Sequence, residues 1–146
     1  AKISGRAVPE SVKRERERLI DTLTDGHKTV SALRALVYGD KDLVAAISRF
    51  LKEIGIVAVA GDERDFTRTD DECGPVDLLI GSSKGYKLAK KRGVPLVRVG
   101  FPVHDRIGGQ HILHLGYRGS RDLFERITNA PIERAQEDND VGYTYY

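Results

Sequence analysis

The chain has 146 residues, with 24 Lys and Arg against 22 Asp and Glu, a single cysteine and no methionine. That length fits one domain, and charge so evenly balanced gives no electrostatic footprint for nucleic acid. No apolar run reaches the ~18 residues of a membrane span, so no membrane partner is expected. Cys73 rules out an internal disulfide within the chain, and one thiol is too few to ligate an iron–sulfur cluster. A signal peptide is not expected at this start, and the cytoplasm is the expected compartment. A chain opening Ala-Lys-Ile-Ser-Gly is expected to be a processed product or a piece of a longer protein.

The elements follow in order. Residues 1–8 form a short extended lead. Pro9 and Glu10 suit the first turn of a helix, which is predicted to run to about Thr24 and to stop at Gly26. Its face Lys13-Arg14-Glu15-Arg16-Glu17-Arg18 is solvated and laced with opposite charges. Arg34–Tyr38 reads as a strand. Gly39-Asp40 turns, with Asp40 as N-cap, into a helix over 41–54 carrying Leu43, Val44, Ile47, Phe50, Leu51 and Ile54 at helical spacing. Residues 56–60, Ile-Val-Ala-Val-Ala, are a short apolar strand bounded by glycine. The polar stretch 61–75 is just long enough for a loop and one or two helical turns. Residues 76–80 are the third strand, 84–92 a helix ending at Gly93, and 94–99 the fourth strand. Residues 100–109 are an irregular loop, and 110–116 admit a short strand. A last helix starts at Gly119-Ser120, with Ser120 as N-cap and Leu123, Phe124, Ile127 and Ile132 on its stripe. Pro131 is expected to kink or restart it. This alternation predicts an α/β fold: a Rossmann-like, doubly wound, mostly parallel sheet with helices on both faces. The domain is placed at 1–137 and a tail at 138–146.

Several patterns suggest chemistry. Gly81-Ser82-Ser83-Lys84-Gly85 fits Gly-x-Ser-x-Gly in a strand–turn–helix context, with Asp105 and His111 following in triad order. No oxyanion segment of the His-Gly-Gly-Gly type precedes it, so tight packing of small residues competes with a serine hydrolase. The same turn could hold an anion at a helix start with Lys84 assisting. That makes a free-standing small-ligand or anion binder the alternative function, its candidate loops carrying Ser82, Ser83, Lys84, His104, Asp105 and Arg106. Asp21 and Asp25 are four residues apart, so both carboxylates share one helix face. Near the helix C-terminus the dipole disfavours them and a cation would offset the penalty, but two carboxylates are too few for calcium. On spacing alone they read as solvated acids. His104, His111 and His114 lack a completing ligand pattern and are assigned loop and surface roles. Cys73 is expected to be exposed or half-buried.

Collinear stretches resemble the last domain of nitrogenase component 1. They are Ser4–Ser11; Arg14-Glu15-Arg16; Leu19–His27; Gly39–Val44; Phe50–Gly55; Asp77–Gly85; Val94–Pro102; Asp105–Gly108; and Leu115–Gly119. Within that superfamily they are most similar to the molybdenum–iron protein β subunit and its cofactor-assembly scaffold relative. The resemblance implies a Rossmann-like third domain of a larger subunit. That domain would be non-catalytic and without cluster ligands or cofactor of its own, in a parent that is an oxidoreductase of nitrogen fixation with iron–sulfur clusters or a builder of the iron–molybdenum cofactor. It implies other domains or subunits of a nitrogenase-like complex as partners, in a homo- or hetero-oligomer. It also implies that Asp21 and Asp25 bind a structural divalent cation at an interface, a partner chain supplying the other ligands. Three departures stand out. The connection 61–75 is shorter than the family's, which leaves strand order open. Cys73 does not match the cluster cysteines. Gly108-Gly109-Gln110 follows Asp105-Arg106 where the β subunit often carries histidines, which is closer to the scaffold.

Overall fold

The structure, a computed structural model, describes residues 5–139; residues 1–4 of the lead and 140–146 of the tail lie outside the described part. The elements are α1 (Glu10–Val30), β1 (Arg34–Tyr38), α2 (Lys41–Glu53), β2 (Val57–Gly61), α3 (Phe66–Glu72), β3 (Leu78–Gly81), α4 (Tyr86–Arg92), β4 (Leu96–Arg98) and α5 (Gly116–Glu137). Single 3-10 turns occupy Ser83–Gly85 and Gly109–His111. The four strands form one parallel sheet in the order β2-β1-β3-β4. The short 61–75 connection therefore still makes a full crossover, carrying α3 and stepping over β1.

Alternation along β1 and β3 sorts the core into two layers. Ala35, Val37, Leu78 and Ile80 face α1, α2 and α5, meeting Ile47, Leu51, Leu123, Phe124 and Ile127. Leu36, Tyr38 and Leu79 face α3 and α4, meeting Cys73, Leu88 and Ala89. Both sheet faces are covered, which is why these strands read as continuous apolar runs. The predicted α/β, doubly wound, parallel fold is what the chain adopts.

Three local expectations are corrected. First, α1 does not stop at Gly26 but continues to Val30. Gly26 is there for contact: a Cβ on it would lie 2.5 Å from Phe124 Cε1. The missing side chain lets α5 approach α1, and the helix tolerates the glycine at a cost of about 1 kcal/mol. Second, 110–116 is not a strand; a 3-10 turn and extended backbone lead directly into α5 at Gly116. Ser120 consequently lies inside the helix and caps nothing. Third, the last helix starts at Gly116 and continues past Pro131 to Glu137 without restarting there, Pro131 forfeiting one backbone hydrogen bond. Asp40 does sit at the N-cap of α2, but its side chain makes no capping hydrogen bond.

Candidate functional site

In an open α/β sheet, ligands bind outside the carboxyl ends of the strands where the winding direction reverses. Here that point lies between β1 and β3, where Tyr38 meets the Gly81–Gly85 turn. The crevice is filled from within. Tyr38 is fully buried, its hydroxyl donates to the Ser82 carbonyl at 2.6 Å, and its ring meets Phe66 edge-on at 5.1 Å. Burial pushes the Tyr38 phenol well above its ordinary pKa. Both glycines of the Gly-x-Ser-x-Gly pattern make room for this ring. A Cβ on Gly81 would lie 2.6 Å from Tyr38 Cζ, and one on Gly85 would collide with Tyr38 Oη. The small residues serve packing against the Tyr38 ring.

Ser83 is also buried, at 5% exposure. Its Oγ donates a hydrogen bond to Asp105 Oδ1 and accepts one from the His104 backbone N–H at 3.2 Å. The Ser83 N–H donates to the Pro102 carbonyl at 2.9 Å. Asp105 is gripped on its other side by Arg98, whose Nε lies 2.9 Å from Oδ1 and whose Nη2 lies 2.6 Å from Oδ2. The Arg98 guanidinium first, and the Ser83 hydroxyl second, hold the Asp105 carboxyl well below the ordinary carboxylate range. The hydroxyl therefore touches a carboxylate and a backbone amide, not an imidazole. A serine nucleophile needs a neighbouring base able to take its proton, and an ionised carboxylate already committed to a bidentate arginine is a poor one. Ser83, Asp105 and Arg98 are a brace that ties the loop after β4 to the turn after β3.

The remaining candidates do not converge on this point. Ser82 Oγ accepts from the Lys84 N–H at 3.4 Å, a local turn cap. Lys84 Nζ pairs with Glu63 Oε1 at 3.1 Å. Arg106 is exposed and donates to the Asp105 carbonyl at 2.7 Å, and the His104 side chain is exposed as well. A cavity of about 720 Å³ opens beside the ends of β1 and β2, lined by Asp40, Gly61, Asp62, Glu63 and Thr69 among others. Ser82, Ser83, Lys84, His104 and Asp105 take no part in it.

Asp21 and Asp25 both lie exposed on α1. Since α1 continues to Val30, its last turn carries His27 and Lys28 instead, and the aspartates sit before it. The dipole penalty expected for them largely disappears, because it falls off within the final turn. Among the described residues no group of three or more His, Cys, Asp and Glu side chains is placed to hold a metal. Cys73 is buried, which corrects the expectation of an exposed or half-buried thiol. It is 5% exposed at the end of α3, with Sγ turned to the Asp70 and Gly74 carbonyls at 3.7 and 3.5 Å. An iron–sulfur cluster needs several converging thiolates, and this donor set does not fit one. His111 is exposed, but His114 is half-buried rather than superficial, and its Nε2 has no partner among the described residues. Burial first, and the nearby Arg126 charge second, lower its pKa from the ordinary imidazole value.

Tyr38 and Arg98 are the two site residues that sequence reasoning missed. Arg98 carried a signal: a lone charge within an apolar strand calls for a fixed counter-ion. Tyr38 carried none, because its role depends on glycines more than 40 positions away.

Comparison with known proteins places these features in a lineage. The family described as nitrogenase component 1 type oxidoreductase matches residues 1–71 and 57–131. The molybdenum-iron protein beta chain of Methanothermobacter marburgensis is 38% identical over 94% of this chain, which covers 36% of that protein. The iron-molybdenum cofactor biosynthesis protein NifN of Mesorhizobium japonicum is 31% identical over 87% of this chain, covering 32% of its own length. A solved nitrogenase structure, "Nitrogenase Cp1 at pH 6.5", superposes with a TM-score of 0.88 at 26% identity, over 99% of this chain and 38% of that one. The chain thus spans little more than a third of the proteins it matches.

Proposed function

Because this chain belongs to the nitrogenase component 1 family, we propose that it is a structural domain of a β-chain-like or NifN-like protein of nitrogen fixation. In this reading the domain frames its neighbours and the cluster chemistry belongs to other parts of the assembly. The observation that carries it is the use of the strand-end residues. Tyr38 fills the switch-point crevice, and Ser83, Arg98 and Asp105 satisfy one another, so the polar groups best placed for chemistry already have partners. The donor set supports the same view, with its one cysteine buried against backbone carbonyls. Asp21 and Asp25 remain available on the outer face of α1, and we assign them half of a divalent-cation site that a partner chain completes.

Anaerobic purification from cells that assemble iron–sulfur clusters, followed by iron and sulfide analysis, tests this reading. The chain is expected to be colourless, with far less than one iron per molecule. Stoichiometric iron with visible cluster absorption would overturn it.

A further inference from the structure

Among the described residues, β2 pairs with β1 on one side and with no strand on the other. An open edge presents unpaired N–H and C=O groups, and proteins blunt it with charge, proline, a bulge or a covering element. β2 has none of these. Its sequence, Val57-Ala58-Val59-Ala60-Gly61, carries neither charge nor proline, and its register with β1 runs through all five residues without a bulge. The Val57 N–H donates to the Leu33 carbonyl at 2.9 Å, so alternation turns the N–H and C=O groups of Ala58 and Ala60 outward. The flanking helices leave the edge uncovered. Hollows of about 470 and 720 Å³ lie along it, where Ser48 and Ala45 of α2 are too small to overhang. Val57 is 48% exposed, and Ala60 is exposed too.

This chain is shorter than its relatives at the same place. The family model matches residues 1–71 and 57–131, so β2 and most of α3 are matched twice. The match to the M. marburgensis beta chain spans 167 positions but covers 94% of 146 residues. About thirty residues of that relative therefore have no counterpart, which is the length of one strand–helix unit. β1 already holds β2 and β3 on its two sides. A strand added to the chain between β2 and β3 would find its place outside β2.

We infer that two copies of this chain pair antiparallel along β2, about a two-fold axis at Val59, and so join their sheets into one. Three features of the strand select a second copy as the occupant. In this register Ala58 of one copy lies opposite Ala60 of the other. These are the residues whose N–H and C=O groups face outward, so each such pair exchanges two hydrogen bonds. On the α3 face, Val59 meets Val59 of the other copy, and Val57 comes beside Gly61, which has no side chain to crowd it. The ends of the edge also differ in charge. Lys52 of α2 stands at its start, and carboxylates outnumber cations at its end, Asp62 and Glu63 among them. Antiparallel pairing sets each start against the other copy's end, opposite charge against opposite charge. The contact is isologous and closes as a dimer. It does not depend on the reading under Proposed function, so the iron analysis and the test below fail separately.

Sedimentation equilibrium and hydrogen exchange on this whole chain, over a range of concentrations, test the pairing. The wild-type mass is expected to rise from monomer to dimer, and the Ala58 and Ala60 amides to exchange more slowly as it does. Ala60→Lys puts a charge on the seam, and Ala60→Pro removes an outward N–H without breaking a bond to β1. Each is expected to weaken the dimer at least about tenfold. At concentrations where the chain is monomeric, the melting temperature of Ala60→Lys stays within about 2 °C of wild type. Ile107→Asp, on the exposed loop after β4, is expected to leave the dimer unchanged. A wild-type chain that stays monomeric at every concentration overturns the inference, and the edge then awaits a strand from another polypeptide. A dimer that Ile107→Asp dissociates and Ala60→Lys does not, or one that forms with no slowing at Ala58 and Ala60, overturns it as well. The exchange measurement needs no variant, so a misfolded substitution does not blunt the test.

Discussion

The turn at 81–85 and the segment 101–117 lie against each other and are both glycine-bearing, yet they direct their side chains oppositely. In the turn, Ser82 and Ser83 are buried and both glycines make room for Tyr38. In the segment, Gly109 fits against Val103 while Phe101, Ile107, Leu113 and Leu115 are exposed to solvent. The turn has the motif that advertises catalysis, and packing accounts for it. The segment has no motif, and packing within this domain leaves its largest side chains unaccounted for. Small residues in a pattern are weak evidence for a site. Large apolar residues held outward on a rigid frame are stronger evidence for a partner.

Substitutions separate the two regions. Gly85→Ala should have the largest effect, because its Cβ would enter space held by Tyr38. Overpacking costs about 1–3 kcal/mol and sometimes more, and chemical denaturation should place this variant at or above the upper end. Adding Tyr38→Leu should recover part of the loss. If Gly85→Ala is neutral, the crevice is not filled as described. Asp105→Asn comes next. It leaves the Arg98 guanidinium, which is 12% exposed on its side chain, without its counter-ion. Hydrogen bonds to charged groups contribute about 1.5–3 kcal/mol, and partial exposure of Asp105 places the expected loss near the lower figure. Ile107→Asp and Leu115→Asp should change stability by less than about 0.5 kcal/mol.

The pH dependence follows from the same contrast. The folded-state pKa of His114 is lowered, so its contribution is intact above the unfolded value of about 6.5 and is lost as pH falls from there toward the folded value. That of Asp105 is also lowered, so its contribution is intact above about 3.9 and is lost as pH falls through the folded value. Thermal melts should show two successive losses on acidification. His114→Gln should remove the first and Asp105→Asn should flatten the second. The smallest effect is expected at Asp21 and Asp25. Millimolar calcium should raise the melting temperature of the wild-type chain slightly, and that of Asp21→Asn/Asp25→Asn not at all. An equal response in both would remove the cation half-site.

Much of the fold was legible because its central strands, β1 and β3, are buried on both faces. Runs such as Arg34–Tyr38 and Leu78–Ile80 are too apolar to sit elsewhere, and the glycines after α2 and α4 end those helices as read. The errors have one physical origin, which is that contacts remote in sequence decide them. Gly26 looks like a stop signal until the ring of Phe124 is placed beside it. Residues 110–116 admit a short strand by sequence, but Leu113 and Leu115 are exposed while His114 is half-buried. The phase is the reverse of what burial in this domain would select. Within the site, the sequence groups Ser83 with Asp105 only through a triad with His111, which the structure does not form. Their hydrogen bond, and the arginine that completes the brace, became visible only when β3 and β4 were set side by side.

Hydrogen exchange on the wild-type chain and on Asp105→Asn tests the central contrast most directly. The account predicts slow exchange at 81–85 in the wild type and faster exchange there in the variant, with little change along β2. Equal exchange at 81–85 in both would contradict it.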